Sequence, residues 1–249
     1  MNNFIKFMAV WTVLFVISVK IENIYLIYAV VFSFFTVMFC GVKFLPLNFF
    51  VKSVCKVKPS PKDTIFLSFD DGPNQNITPK ILELLDKYNQ KASFFVIAQK
   101  AKKYPEIVKK IVENGHTLGS HDLYHRLTDN FRRTGQMFME IGESVKILEE
   151  ISNTKVNFYR PPVGLSNPHL FFALKKLNLQ CTGWSKSVGD AKNRIVSAIK
   201  KIPNLYSAKD GDIILLHDDC PVKNEVLFLQ NLEELLKNFE KTGKKSARI

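Results

Sequence analysis

The chain is short of paired cysteines, of acidic residues in its first quarter, and of repeated sequence, and each shortage removes a class of protein. Its four cysteines, Cys40, Cys55, Cys181 and Cys220, include no CxxC pair. Neither a disulfide framework nor a thiolate zinc site is therefore signalled, and the redox compartment stays open. No internal repeat or low-complexity tract occurs, so the chain is not a repeat array. Across residues 1–62 a single acid, Glu22, stands against Lys6, Lys20, Lys43, Lys52, Lys56, Lys58 and Lys62. Half of the net charge of +12 thus flanks the apolar segments of that first quarter. This pattern suits anionic lipid headgroups. The remainder lacks a basic stripe interleaved with stacking aromatics, so nucleic acid is not expected as a partner.

Charge is also missing from residues 7–19 and 24–42. The second run is long enough to cross a bilayer, which takes about 20 residues. The first reaches that length if Phe4 and Ile5 join it and Lys6 snorkels. No small-residue cleavage pattern stands around 18–23, so two anchoring helices joined at Lys20-Ile21-Glu22-Asn23 are preferred to a signal peptide. Residues 1–46 are accordingly read as a membrane anchor of two transmembrane helices, touching membrane lipids. By the positive-inside rule the lysines after the second run belong in the cytoplasm. A hairpin would return the chain to that side, whereas a single crossing would export the soluble domain. The side of the membrane stays open. Residues 47–62, with alternating Lys and with Pro59 and Pro61, read as a basic tether.

From residue 63 onward, short apolar runs alternate with amphipathic stretches. Strands are expected over 64–69, 92–97, 116–119, 156–159, 179–183 and 212–216, with a weaker one at 245–249. Helices are expected over 78–87, 104–114, 132–151, 167–177, 192–202 and 223–240. Thr78-Pro79 supplies an N-cap followed by Pro at the first helical position. Such alternation predicts parallel strands with crossover helices. Residues 63–249 fall short of the roughly 250 of a full eight-stranded barrel. The predicted fold class is α/β, a distorted or incomplete (β/α) barrel of about seven strands.

Polar residues of note gather where these strands end. Ser68-Phe69-Asp70-Asp71-Gly72-Pro73 delivers two adjacent carboxylates, and Gly72-Pro73 stops the strand. Alternation along a strand points Asp70 and Asp71 to opposite faces, one for a cation and one for protons. An acidic turn is the plainer alternative. Ser120-His121-Asp122-Leu123-Tyr124-His125 sets two histidines four apart. On a helical turn that spacing shares a face, as in the HExxH zinc motif. Two imidazoles and a carboxylate would leave a coordination position for water. Arg160-Pro161-Pro162-Val163-Gly164 is a stiff loop whose prolines donate no N–H, which leaves the Val163 amide available to an oxyanion. Arg160 would hold a carboxylate ionised, or else is a surface arginine on a rigid turn. His217, in Leu215-Leu216-His217-Asp218, is placed as a proton donor, with a satisfied core histidine as the alternative.

The strings SFDDGP, SHDLYH, RPPVG, WSKSVGD and LLH, in this order, resemble the polysaccharide deacetylase family, also called NodB-homology domains or carbohydrate esterase family 4. The resemblance covers about residues 63–240. It implies a NodB-like catalytic domain over 63–249 and one divalent metal ion, usually Zn2+, on Asp71, His121 and His125. Asp70 resembles the general base and Arg160 the arginine that orients it. The Val163 amide matches the oxyanion donor and His217 the general acid. Asp190 is similar to the aspartate that supports this histidine and raises its pKa. The implied activity is hydrolysis of N-acetyl groups on the amino sugars of a glycan. Alternatives are a deacylase or deformylase of a lipid-linked sugar at the membrane face, and a catalytically inactive carbohydrate-binding homologue. Three positions depart from the family pattern: Asp122 where Ser or Thr is usual, Val163 in place of Tyr, and Ala191 where a Trp would wall the substrate groove.

Overall fold

The structure, a computed structural model, describes residues 2–190 and 196–249. Two apolar helices open it, α1 (Asn2–Lys20) and α2 (Ile24–Lys43), the second capped by the Asn23 side chain, which accepts from Leu26 N–H. They lie antiparallel: Trp11 packs on Phe34, and its indole N–H donates to Val30 O at 3.0 Å. By length and composition each can cross a membrane, and little of either is buried.

The strands are β1 (Ser53–Val54), β2 (Thr64–Asp70), β3 (Ala92–Val96), β4 (Thr117–Ser120), β5 (Phe158–Tyr159), β6 (Gln180–Thr182), β7 (Lys186–Ser187), β8 (Ile213–His217) and β9 (Lys245–Ser246). All pair in parallel, in the order β1-β6-β5-β4-β3-β2-β8-β7, with β9 added to β2. The curled sheet is an open half-barrel with helices on its outside, as the strand–helix alternation predicts. Those helices are α3 (Thr78–Lys87), α4 (Ala98–Lys103), α5 (Pro105–Glu113), α6 (Thr134–Ser152), α7 (Pro168–Leu177), α8 (Val196–Ile199) and α9 (Val222–Thr242).

Strand β2 is buried at every position, so both of its faces are covered. Ile65, Leu67 and Phe69 meet Ile81, Leu85, Val108 and Ile111 from α3 and α5, and Phe228, Leu232, Leu235 and Phe239 from α9. The α9 residues recur at three and four, the stripe that a helix lays on a sheet. Each such side chain contributes roughly 1.5–3 kcal/mol by leaving water. The opposite face carries Phe66, Ser68 and Asp70 into the half-barrel, and this polar face ends at the site.

The expected tether over 47–62 requires correction. Phe49, Phe50, Val51 and Cys55 are buried with Tyr159 and Cys181, and Ser53 and Val54 stand in register with Cys181 and Thr182 of β6. The alternating lysines belong in part to an edge strand, where exposed charge blocks further pairing. Lys56 closes on Asp212 at 2.9 Å. β7 and α4 are likewise additions to the expected elements. Of the helix expected over 192–202, residues 192–195 lie outside the described residues; α8 and a 3-10 turn (Ile202–Ser207) come next.

Candidate active site

Because the strands run parallel, the ends of β2, β4, β5 and β8 meet at one rim of the half-barrel. Register decides the neighbours: Asp70 stands opposite Phe95 of β3 and His217 of β8, and Ser120 opposite Tyr159. Both carboxylates at the end of β2 are buried. Alternation alone would point them apart, and this expectation fails for a local reason. Asp71 has φ 73°, a left-handed conformation that L residues seldom adopt, and it turns the carboxylate back into the cleft of Asp70. His121 Nε2 consequently lies 3.5 Å from Asp71 Oδ1 and 3.8 Å from Asp70 Oδ2.

The two histidines come together without the helical turn that their spacing suggests. Residues 121–126 contain no helix. Instead Asp122 (φ 74°) and His125 (φ 59°) wrap the loop, leaving the imidazole centroids 4.7 Å apart and His125 Nε2 3.3 Å from Asp71 Oδ1. One donor atom each from Asp71, His121 and His125 fits within 4.8 Å of the others. His121 is also oriented from behind, since its Nδ1 lies 2.8 Å from Arg160 O. A carbonyl can only accept, so Nδ1 carries the hydrogen and Nε2 faces the cleft. Two imidazole nitrogens and one carboxylate oxygen, one ring held in this way, suit a zinc-like divalent cation.

Asp70 is engaged differently. Arg160, fully buried, donates from Nη1 to Asp70 Oδ1 at 2.6 Å and to Ser68 Oγ at 2.9 Å, and from Nη2 to Gly183 O at 2.9 Å. Its guanidinium also lies 3.9 Å above the Phe95 ring. A charged pair held by this many partners keeps its geometry, and Arg160 faces no solvent. Beyond Arg160 the chain turns through Val163, at φ 54°, with Gly164 N–H donating to Pro161 O at 3.0 Å. Trp184 packs on this turn so closely that a Cβ at Gly164 would collide with the indole. Ala191, where the sequence departs from the family pattern, lies outside the described residues.

His217 Nδ1 lies 3.1 Å from Asp190 Oδ1, and the His217 N–H donates to Asp190 Oδ2 at 3.0 Å. Burial works to lower the histidine pKa. The hydrogen bond and charge of Asp190, with the charges of Asp70 and Asp71, outweigh it and raise the pKa to about 9. Asp70, Asp71, His121, His125, Arg160 and His217 are thus brought together at one rim, with Asp190 behind His217.

Two further neighbours lie outside the motifs. Asp218 is buried beside Gly72 and accepts from Thr78 Oγ1 at 2.7 Å; burial pushes its pKa up to about 7. Its signal in the sequence is a second polar residue directly after the apolar run that ends in His217. The other is Arg132, which contacts Asp122 under the histidine loop and belongs to no motif.

The polysaccharide deacetylase family profile matches residues 57–182. A chitooligosaccharide deacetylase of Azorhizobium caulinodans is 34% identical over 163 residues, covering 64% of this chain and 76% of the relative. A peptidoglycan-N-acetylglucosamine deacetylase of Bacillus cereus is 30% identical over 187 residues, covering 74% and 85%. Among solved structures, the peptidoglycan deacetylase PdaC of Bacillus subtilis superposes with a TM-score of 0.66 at 28% identity, over 75% of this chain and 87% of that one. With the half-barrel and its rim of acids and histidines, these matches establish that the chain belongs to the polysaccharide deacetylase family, hydrolases of amide bonds.

Proposed function

We propose that the protein removes N-acetyl groups from amino sugars of a glycan, releasing acetate and a free amine, with a divalent metal ion, Zn2+ by its donor set, on Asp71, His121 and His125. The observation that carries this reading is the convergence of three ligand atoms within 4.8 Å beside a second carboxylate, Asp70, that is held by an arginine. The names of the relatives, chitooligosaccharide and peptidoglycan-N-acetylglucosamine deacetylases, support an N-acetylated amino sugar as substrate.

Asp71, His121 and His125 would hold the ion, which would supply a Lewis acid and lower the pKa of a water bound to it. Asp70, held by Arg160 at 2.6 Å, accepts the proton that the attacking water gives up. The Val163 N–H, the first amide donor after two prolines, meets the negative charge that develops on the acetyl oxygen. His217 then protonates the amine, which leaves poorly without a proton. A pKa near 9 keeps it charged at neutral pH, and Asp190 holds its ring. Retention of base, ligands and acid together weighs against an inactive carbohydrate-binding homologue.

The helices α1 and α2 serve, in this reading, as a membrane anchor. The test is acetate release by the zinc-loaded full chain in detergent, from chitooligosaccharides and from peptidoglycan fragments, beside metal analysis of the same sample. Stoichiometric zinc with release from either glycan is expected. Zinc without release from any N-acetylated glycan would overturn the reading.

A further inference from the structure

The two apolar helices are built into the catalytic half-barrel. At the start of α1, Asn3 Nδ2 donates to Leu47 O and Asn48 O at 3.3 Å each, and Phe4 N–H donates to Phe49 O at 3.2 Å. Phe4 also packs on Phe50, which is fully buried in the domain. At the end of α2, Ser166 N–H donates to Val42 O at 3.0 Å and Ser166 Oγ donates to Gly41 O at 3.1 Å. Ser166 stands just beyond the catalytic turn of Val163 and Gly164. The same helix end helps to form a cavity of about 150 Å3, lined by Lys43, Phe44, Leu45, Pro46, Gly164 and Trp184.

An antiparallel hairpin whose two outer ends both touch the domain brings the start of α1 and the catalytic rim to the same side of any bilayer it crosses. Lys6, Lys43 and Lys52 lie at that side, whereas the hairpin turn carries Lys20 balanced by Glu22. Positive charge flanking membrane helices stays in the cytoplasm. The cavity, moreover, takes four of its lining residues from the membrane-proximal end of the anchor and two from the loops of the catalytic site. Phe44 and Leu47, half exposed beside it, suit a lipid hydrocarbon chain, and exposed Lys43 suits an anionic linkage.

We infer that the catalytic rim opens at the cytoplasmic face of the membrane, and that the substrate is an N-acetylated amino sugar carried by a lipid through a phosphate linkage, seated between the end of α2 and Trp184. The inference rests on the N-deacetylase reading for its chemistry and on the hairpin for its side of the membrane.

Two measurements on the full chain test it, one for each half. In intact cells, a membrane-impermeant maleimide is expected to label Ile21→Cys in the hairpin turn, and to label Glu240→Cys only after lysis, both read above the unsubstituted chain. Labelling of Glu240→Cys in intact cells, or none of Ile21→Cys, overturns the assigned side. In lipid vesicles, zinc-loaded protein is expected to deacetylate N-acetylglucosamine linked by diphosphate to a polyisoprenoid about tenfold faster than a soluble N-acetylglucosamine tetramer at equal concentration, because both partners share one surface. Equal or faster turnover of the tetramer overturns the substrate assignment. Acetate from neither overturns it together with the deacetylase reading, and the labelling pattern still decides the side. Lys43→Gln should raise KM for the lipid-linked probe about fivefold, the weight of one exposed charge pair; an unchanged KM contradicts the phosphate contact.

Discussion

Arg132 lies against the carboxylate of Asp122, both buried, directly under the loop that presents His121 and His125. The guanidinium also donates from Nη1 to Glu140 Oε2 at 2.8 Å. Asp122 in turn accepts from Leu123 N–H at 2.8 Å and from the Tyr159 hydroxyl at 3.4 Å. The carboxylate is thus met from several directions, and the left-handed turn at Asp122 is held from below.

Arg132→Met should therefore cost about 3–5 kcal/mol, because it leaves a buried carboxylate without its cation. Adding Asp122→Ser removes the stranded charge, so the double variant should be the more stable of the two. Urea unfolding checks the order, and the reverse order contradicts a structural role for the pair. Zinc affinity should fall with Arg132→Met, since the loop carries two of the proposed ligands.

Asp70 and Asp71 share His121, but only Asp70 is held by Arg160 and only Asp71 also reaches His125, which predicts separable losses. Asp70→Asn should retain zinc and lose about 10²–10⁴ in turnover, the usual weight of a general base. His125→Ala should lose both. Metal content by atomic absorption, measured beside acetate release, decides it, and equal zinc loss in the two variants would refute the division of roles.

In the proposed mechanism the proton on His217 sets the alkaline limb of activity. Its pKa stands at about 9 because Asp190 outweighs burial. A group that must be protonated works below its pKa, so the rate should fall as pH rises through about 9. Asp190→Asn removes the hydrogen-bonded charge and should move that limb toward neutrality. A pH–rate profile with an unmoved limb would deny Asp190 its supporting role.

Gly164 sits at φ 68° with the Trp184 indole where a Cβ would stand. Gly164→Ala should cost about 1–3 kcal/mol from the backbone conformation alone, and should lower kcat by displacing Val163. Combining it with Trp184→Ala should recover only the part due to collision. Thermal unfolding of the single and double variants separates the two contributions.

Local chemistry made much of this protein legible in one dimension. Apolar runs of the right period marked β2, β3, β6 and β8, because strand choice depends on near neighbours. Thr78-Pro79 marked the start of α3, although Ile77 takes the N-cap position and the Thr78 hydroxyl donates to Asp218 instead of capping the helix. Strand ends then marked Asp70, His121, Arg160 and His217, since parallel strands deliver their last residues to one rim. Tertiary structure decided the rest. Only pairing with β6 made an edge strand of Ser53 and Val54, and only the left-handed turn at Asp71 brought two adjacent carboxylates into one cleft. Neither the partner of Asp122 nor the contact of α2 with the catalytic loop has a local signature, because each is a choice among residues far apart along the chain, made by packing.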